Sequence, residues 1–110
     1  MSGRHLVVDI KCDLKDVGQE FIYNILDELP DRIKMDKLTP PIVVKGLPED
    51  PGWTGVVIIC TSHIAIHTFD KTNLINLDIF SCRDFDHDKV LKYLKEKFNP
   101  SEMKHDTWNR

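Results

Sequence analysis

The chain has 110 residues, a formal net charge of −3 and 41% apolar residues. Acidic and basic side chains are interspersed, which excludes a polycationic surface for nucleic acid or an anionic membrane. The length admits one domain with a modest core and is short for a self-contained enzyme cleft, which favours a site completed by a second copy. No apolar run approaches the roughly 20 residues of a membrane span. The opening Met1-Ser2-Gly3-Arg4-His5 does not read as a signal peptide. Cys12, Cys60 and Cys82 are widely spaced with no CxxC, which fits a reduced, cytoplasmic protein better than a disulfide or zinc framework.

His5 to Ile10 is a short apolar run with β-branched residues and reads as the first strand. Asp13 or Asp16 offers a helix N-cap, and Phe21, Ile22, Ile25, Leu26 and Leu29 recur at helical spacing up to Pro30. Residues 31 to 41 connect to a second strand, Ile42 to Lys45, and Gly46, Pro48, Asp50, Pro51 and Gly52 form a loop. Gly55 to Cys60 is continuously apolar, so this strand is expected to be covered on both faces or to lie at a dimer contact. A strand from His63 to Phe69, a turn over residues 70 to 73, and a strand from Leu77 to Ser81 follow. Asp86 caps a last helix with the stripe Val90, Leu91, Leu94 and Phe98, ended by Pro100. The tail after Ser101 is polar and reads as loose. The order β-α-β-β-β-β-α predicts an α+β two-layer sandwich, an antiparallel sheet with two helices on one face.

One junction invites chemistry. At Cys60-Thr61-Ser62-His63 two extended runs meet with no Gly, Pro or Asn to ease the turn. Alternation then sets His63, Ala65 and His67 on one face and Ser62, Ile64, Ile66 and Thr68 on the other. A serine at a strained junction can attack the preceding carbonyl. The ester so formed can lose its acyl half by β-elimination, and hydrolysis of the dehydroalanine leaves a pyruvoyl group at position 62. An imidazole suits removal of the Cα proton. On the residues alone, Ser62 as a plain structural hydroxyl competes with this reading, as do Cys82 as a buried thiol and His5 as a structural ring. A zinc pair of His63 and His67 is disfavoured, because residues four apart on a strand are separated by roughly 13 Å. No metal is expected.

Ser62-His63-Ile64-Ala65-Ile66-His67-Thr68-Phe69 followed by Leu77-Asp78-Ile79-Phe80-Ser81-Cys82 resembles the signature of the prokaryotic S-adenosylmethionine decarboxylases. Gly3 to Val7 and Trp53 to Val57 match the same pattern, and the similarity spans Gly3 to about Phe98. The resemblance implies the sandwich fold and self-cleavage between Thr61 and Ser62 into residues 1–61 and 62–110. It implies a pyruvoyl cofactor derived from Ser62, which holds a substrate amine as a Schiff base while carbon dioxide leaves. It assigns His67 to the elimination step, Cys82 to protonation of the decarboxylated carbanion, and Thr54 to the substrate or the processing oxyanion. It also implies a homodimer that completes its sites across the pair.

Four positions depart from that family's pattern. Thr61 stands in place of Glu, Asp70-Lys71 in place of Pro-Glu, Pro48 in place of an aromatic, and Arg83 in place of Gly. Lys71 thus aligns with the acid that grips the substrate's ribose hydroxyls, and Asp70 replaces it only if the turn shifts by a residue. Three functions follow from the resemblance. The first is decarboxylation of S-adenosylmethionine for spermidine synthesis, the second decarboxylation of a smaller basic amino acid such as ornithine or arginine. The third is a non-catalytic, regulatory member.

Overall fold

A computed structural model describes residues 4 to 109. Gly3, which opens the N-terminal matching block, and the rest of the chain start lie outside the described residues. The elements are β1 (Arg4–Lys11), α1 (Gln19–Arg32), β2 (Ile42–Lys45), β3 (Trp53–Ile59), β4 (Ser62–Phe69), β5 (Leu74–Ser81), α2 (His87–Phe98) and β6 (Glu102–Asn109). The strands form one sheet in the order β2-β3-β4-β5-β1-β6, every neighbouring pair antiparallel.

Alternation along the strands decides where the core lies. Leu6, Val8 and Ile10 of β1, Val57 and Ile59 of β3, Ile64 and Ile66 of β4, and Ile75, Leu77 and Ile79 of β5 are all buried. Their neighbours in sequence point to the other face. Against the buried face lie Ile22, Ile25, Leu26 and Leu29 of α1 and Val90, Tyr93, Leu94 and Phe98 of α2. Gly55 lets α1 approach the sheet, since a Cβ there would stand 2.7 Å from Leu26 Cδ1. The helices touch through Phe21 and Phe98, with ring centres 5.4 Å apart. Tyr93 Oη donates to Glu28 Oε2 at 2.6 Å, and burial with this bond raises the phenol's pKa. The α+β two-layer sandwich with both helices on one face is the architecture observed.

Several local expectations change. The polar tail is not loose: it is β6, an edge strand paired along the whole of β1. Ser101 begins it by donating N–H and Oγ–H to Lys11 O, and Trp108 lays its ring 4.9 Å from His5. Polarity misleads here because an edge strand with little core beneath it needs few apolar residues. Helix α1 passes through Pro30 to Arg32, because a proline in the last turn forfeits only one N–H bond. Its N-cap is Gly18, while Asp13 Oδ1 accepts from Lys15 N in the preceding turn. Asp86 caps α2 as expected, accepting from Lys89 N at 3.1 Å. Tyr93 joins the buried stripe and Leu91 is only half-buried. Within the chain β3 is covered on one face only, since Ile58 remains 47% exposed. No helix among the described residues is long and apolar enough to cross a membrane.

Candidate active site

The β3–β4 hairpin turns in two residues, Cys60 and Thr61, with Ile59 facing Ser62 across it. Such loops usually use Gly or Asn, because a residue must take positive φ. Here Thr61 takes it, at φ 53°, where a β-branched side chain is an outlier costing about 1–3 kcal/mol. The turn is held from both sides. Cys60 N–H donates to Asp36 O at 3.0 Å, and Thr61 Oγ1–H donates to Cys60 O at 2.8 Å.

Ser62 opens β4 on the helix-covered face and is 7% exposed. Its Oγ accepts from Cys82 N–H at 3.3 Å. The Cys82 thiol donates to Thr61 O at 3.1 Å. One residue at the end of β5 therefore touches both the hydroxyl and the carbonyl of a single peptide junction. That second contact was not foreseen for Cys82. Ser81, fully buried, sets the course of the chain here: its Oγ accepts from Arg83 N–H at 3.0 Å and lies 3.8 Å from Met35 Sδ. Ser81 stood within the matched block, but only its burial marks it as a support. Arg83 lines a separate cleft of about 340 Å³ with Arg32, Lys34 and Lys89.

His67 is not brought to Ser62. They stand five positions apart on β4, about 16 Å of strand, and an odd step puts them on opposite faces. His67 Nδ1 instead meets Thr54 Oγ1 at 3.0 Å, directly across β3–β4. In the tautomer that donates from Nδ1, Nε2 carries the lone pair a base needs. Thr54 and His67 thus form a second group at the far end of the hairpin, on the open face. Beside it, Asp70 N–H donates to Pro51 O at 3.1 Å, and Lys71 Nζ donates to Glu49 O at 2.7 Å. Lys71 is spent on the backbone of the β2–β3 loop. A cleft of about 240 Å³ lies here, lined in part by Asp50, Thr54, His67 and Phe69. Asp50 did not stand out in the sequence, where it reads as one turn former among several.

The open face carries apolar groups in register. Ile58, His63, Phe80, His5 and Trp108 form one row across five strands. Ile42, Val44 and Trp108 also stand exposed. Among the described residues, Ile58 and Trp108 of this row stay about half exposed.

The Thr61 strain has a measurable consequence. In an uncleavable Ser62→Ala background, Thr61→Gly should raise stability by about 1 kcal/mol, as relief of the turn outweighs the chain entropy that glycine adds. With Ser62 present it should slow cleavage, because the junction starts from a relaxed state. Chemical denaturation and a cleavage time course measure the two effects. A Thr61→Gly chain that is no more stable and cleaves at the wild-type rate would show that the turn stores nothing.

Comparison with known proteins adds an independent line. The family model described as S-adenosylmethionine decarboxylase matches residues 4–110. A protein named S-adenosylmethionine decarboxylase proenzyme from Archaeoglobus fulgidus is 33% identical over 106 residues, 94% of this chain and 92% of its own length. One of the same name from Clostridium botulinum (strain Loch Maree / Type A3) is 34% identical over 110 residues, 94% of this chain and 90% of its own. The crystal structure of the adenosylmethionine decarboxylase from Aquifex aeolicus VF5 superposes with a TM-score of 0.80 at 24% identity, over 96% of this chain and 88% of that one. That structural likeness speaks for the fold.

Proposed function

The chain belongs to the S-adenosylmethionine decarboxylase family, and we propose that it is a self-cleaving decarboxylase whose working group is made from Ser62. The observation that carries this reading is the double contact of Cys82 with the Thr61–Ser62 junction, at 3.1 Å to the carbonyl and 3.3 Å to the hydroxyl.

The chain's own residues fit the making of a pyruvoyl group. Ser62 Oγ attacks the Thr61 carbonyl carbon, the C–N bond breaks, and an ester replaces the amide. The charge that develops on Thr61 O in that step falls where the Cys82 thiol already donates. The strained φ of Thr61 raises the starting state towards it. Loss of the Ser62 Cα proton then expels the Thr61 carboxylate, and water displaces ammonia from the remaining dehydroalanine. The products are chains 1–61 and 62–110. Once formed, a pyruvoyl group supplies a carbonyl system that accepts the electron pair left when a carboxylate departs as carbon dioxide. The contacts of Cys82 with this junction support reading it as the residue that returns a proton to the substrate.

His67 is the base suited to the elimination, yet about 16 Å of strand separate it from Ser62 of its own chain. Two copies apposed through their open faces would cover that distance, with the Thr54–His67 end of one lying over the Ser62–Cys82 end of the other; the imidazole would then approach the Ser62 backbone, whose Cα proton is the one lost, from the face opposite the hydroxyl. The exposed row through Ile58 and Trp108 gives such a pair an apolar contact. It also accounts for the unbroken apolar run of β3. We therefore read the protein as a homodimer with two shared sites and S-adenosylmethionine as its substrate, in keeping with the names of the relatives. The product would be an aminopropyl donor for spermidine synthesis.

Mass spectrometry of the purified protein tests this directly. The expected result is two chains split between Thr61 and Ser62, the second with a carbonyl-reactive terminus, and release of carbon dioxide from S-adenosylmethionine. An intact chain after prolonged incubation would refute the reading. Cys82→Ala tests the double contact separately. It should slow cleavage by about tenfold, since a thiol is a weak donor, and should abolish most turnover by the fraction that does cleave. Cys82→Ser restores a donor, so it should cleave faster than Cys82→Ala. Wild-type cleavage by Cys82→Ala would confine Cys82 to the later proton transfer.

A further inference from the structure

The cleft of about 340 Å³ lies where α1 finishes and α2 begins, and the chemistry at Ser62 and His67 makes no use of it. It collects four cations, Arg32, Lys34, Arg83 and Lys89, in a chain whose net charge is −3. None of them forms an ion pair among the described residues. Both acids of the lining are engaged: Asp84 pairs with Arg4, and Asp86 accepts from Lys89 N–H as the cap of α2. Arg32 and Lys34 stand at the end of α1, where positive charge offsets the helix dipole. Lys89 has no such reason. It sits in the first turn of α2, where the dipole favours acids and opposes a cation. Arg83 stands where the resembled sequence pattern has Gly, so its charge is particular to this chain.

Like charges around an open cleft repel one another, and a multiply charged anion turns that repulsion into attraction. Two planar guanidinium groups and two ammonium groups suit phosphate oxygens, the first by bidentate contact and the second as point charges. A triphosphate carries about four negative charges near neutral pH, which balances the cations gathered here. The volume admits a short chain of phosphates. We propose that this cleft binds a small molecule carrying a polyphosphate chain, and that its occupancy acts on the Thr61–Ser62 junction through Arg83. The path is short. Arg83 N–H donates to Ser81 Oγ at 3.0 Å, and Sδ of Met35, in the cleft wall, lies 3.8 Å from the same oxygen. Between Ser81 and Arg83 is Cys82, which meets Thr61 O and Ser62 Oγ. An anion that fixes Arg83 therefore steadies the strand end that carries Cys82. The action on the junction rests on the self-cleaving reading; the binding does not.

Calorimetric titration of the purified protein at low salt tests the site, with inorganic triphosphate, ATP and inorganic phosphate as probes and no divalent metal present. Triphosphate should bind once per chain, at least about tenfold more tightly than phosphate, and its affinity should fall as salt is raised. ATP, the same chain esterified at one end, should bind within about tenfold of triphosphate. Arg83→Gln and Lys89→Gln should each weaken triphosphate by about fivefold or more, with the melting temperature of the free protein unchanged. No binding, equal binding by the wild type and both variants, or tighter binding of a hexaglutamate peptide than of triphosphate would overturn the site. A cleavage time course of freshly made protein reads the action on the junction. Saturating triphosphate should speed splitting between Thr61 and Ser62 by about fivefold in the wild type, and by less in Arg83→Gln, since it favours the arrangement with Arg83 held in the cleft. Splitting at the same rate or slower would overturn that action. A chain that never splits, with or without triphosphate, fails the self-cleaving reading and the action with it, while the titration still decides the site.

Discussion

Replacing Ser62 by Ala should leave one intact chain of 110 residues with no carbonyl-reactive terminus and no decarboxylation. The loss should be complete within detection, beyond about a thousandfold, because the pyruvoyl group can form only from the side chain of residue 62, and the Cys82 thiol meets the Thr61 carbonyl at its oxygen. Thr61 Oγ1 is itself engaged with Cys60 O at 2.8 Å. Folding should survive. The substitution leaves the part-buried Cys82 N–H without its acceptor, a cost of at most about 1–3 kcal/mol, set against a continuous core of large, fully buried side chains such as Leu26, Ile64, Leu77 and Leu94. Circular dichroism of the variant separates lost chemistry from lost structure. A folded Ser62→Ala chain that still splits at this bond would remove Ser62 from its role, and with it the proposed cofactor.

Much of the fold was legible because the strands keep strict alternation. Ser62, Ile64, Ile66 and Thr68 are buried while His63 and His67 are exposed, as period-two spacing requires. The cap at Asp86 followed from its position before an amphipathic run. What failed were segments governed by their neighbours rather than by themselves. Strand β6 has no hydrophobic signature, and exists because β1 offers an unpaired edge and Ser101 starts the ladder at Lys11. The extension of α1 past Pro30 depends on burial of that proline, which local propensity cannot supply.

The site divides the same way. Ser62, Cys82, Thr54 and His67 were found through matched blocks of sequence, and the structure brings them together in two pairs rather than one group. Spacing along β4 already implied the separation of Ser62 from His67, since an odd step on a strand changes face. The contact of the Cys82 thiol with Thr61 O depends on the course of the chain after β5, set by the buried Ser81, and no motif encodes it. Lys71 shows the limit of alignment most clearly. Its position matched a substrate-binding acid, while its ammonium is committed to Glu49 O, and the acid that lines the cleft among the described residues, Asp50, comes from a different loop.

Sites shared between two copies have a signature that sites within one chain lack. His67→Ala alone should stall after ester formation and leave the chain joined, since no base reaches Ser62. Ser62→Ala alone should be inert. Coexpressed with distinct tags, the two variants should rescue one another. In a mixed dimer, Ser62 of the His67→Ala chain meets His67 of the Ser62→Ala chain, so one site is whole and the other lacks both groups. Random pairing makes half the dimers mixed with one good site each, so activity should recover to about a quarter of wild type. Only the His67→Ala chain should be found cleaved, which tag-specific mass spectrometry reads directly. Rescue cannot arise if His67 serves Ser62 of its own chain, because neither variant then contains a complete pair. No cleavage in the coexpressed mixture, with mixed dimers demonstrated by pull-down through both tags, would return both residues to one chain. It would also demand a movement of about 16 Å along β4, which a strand paired on both sides cannot make without unfolding the sheet.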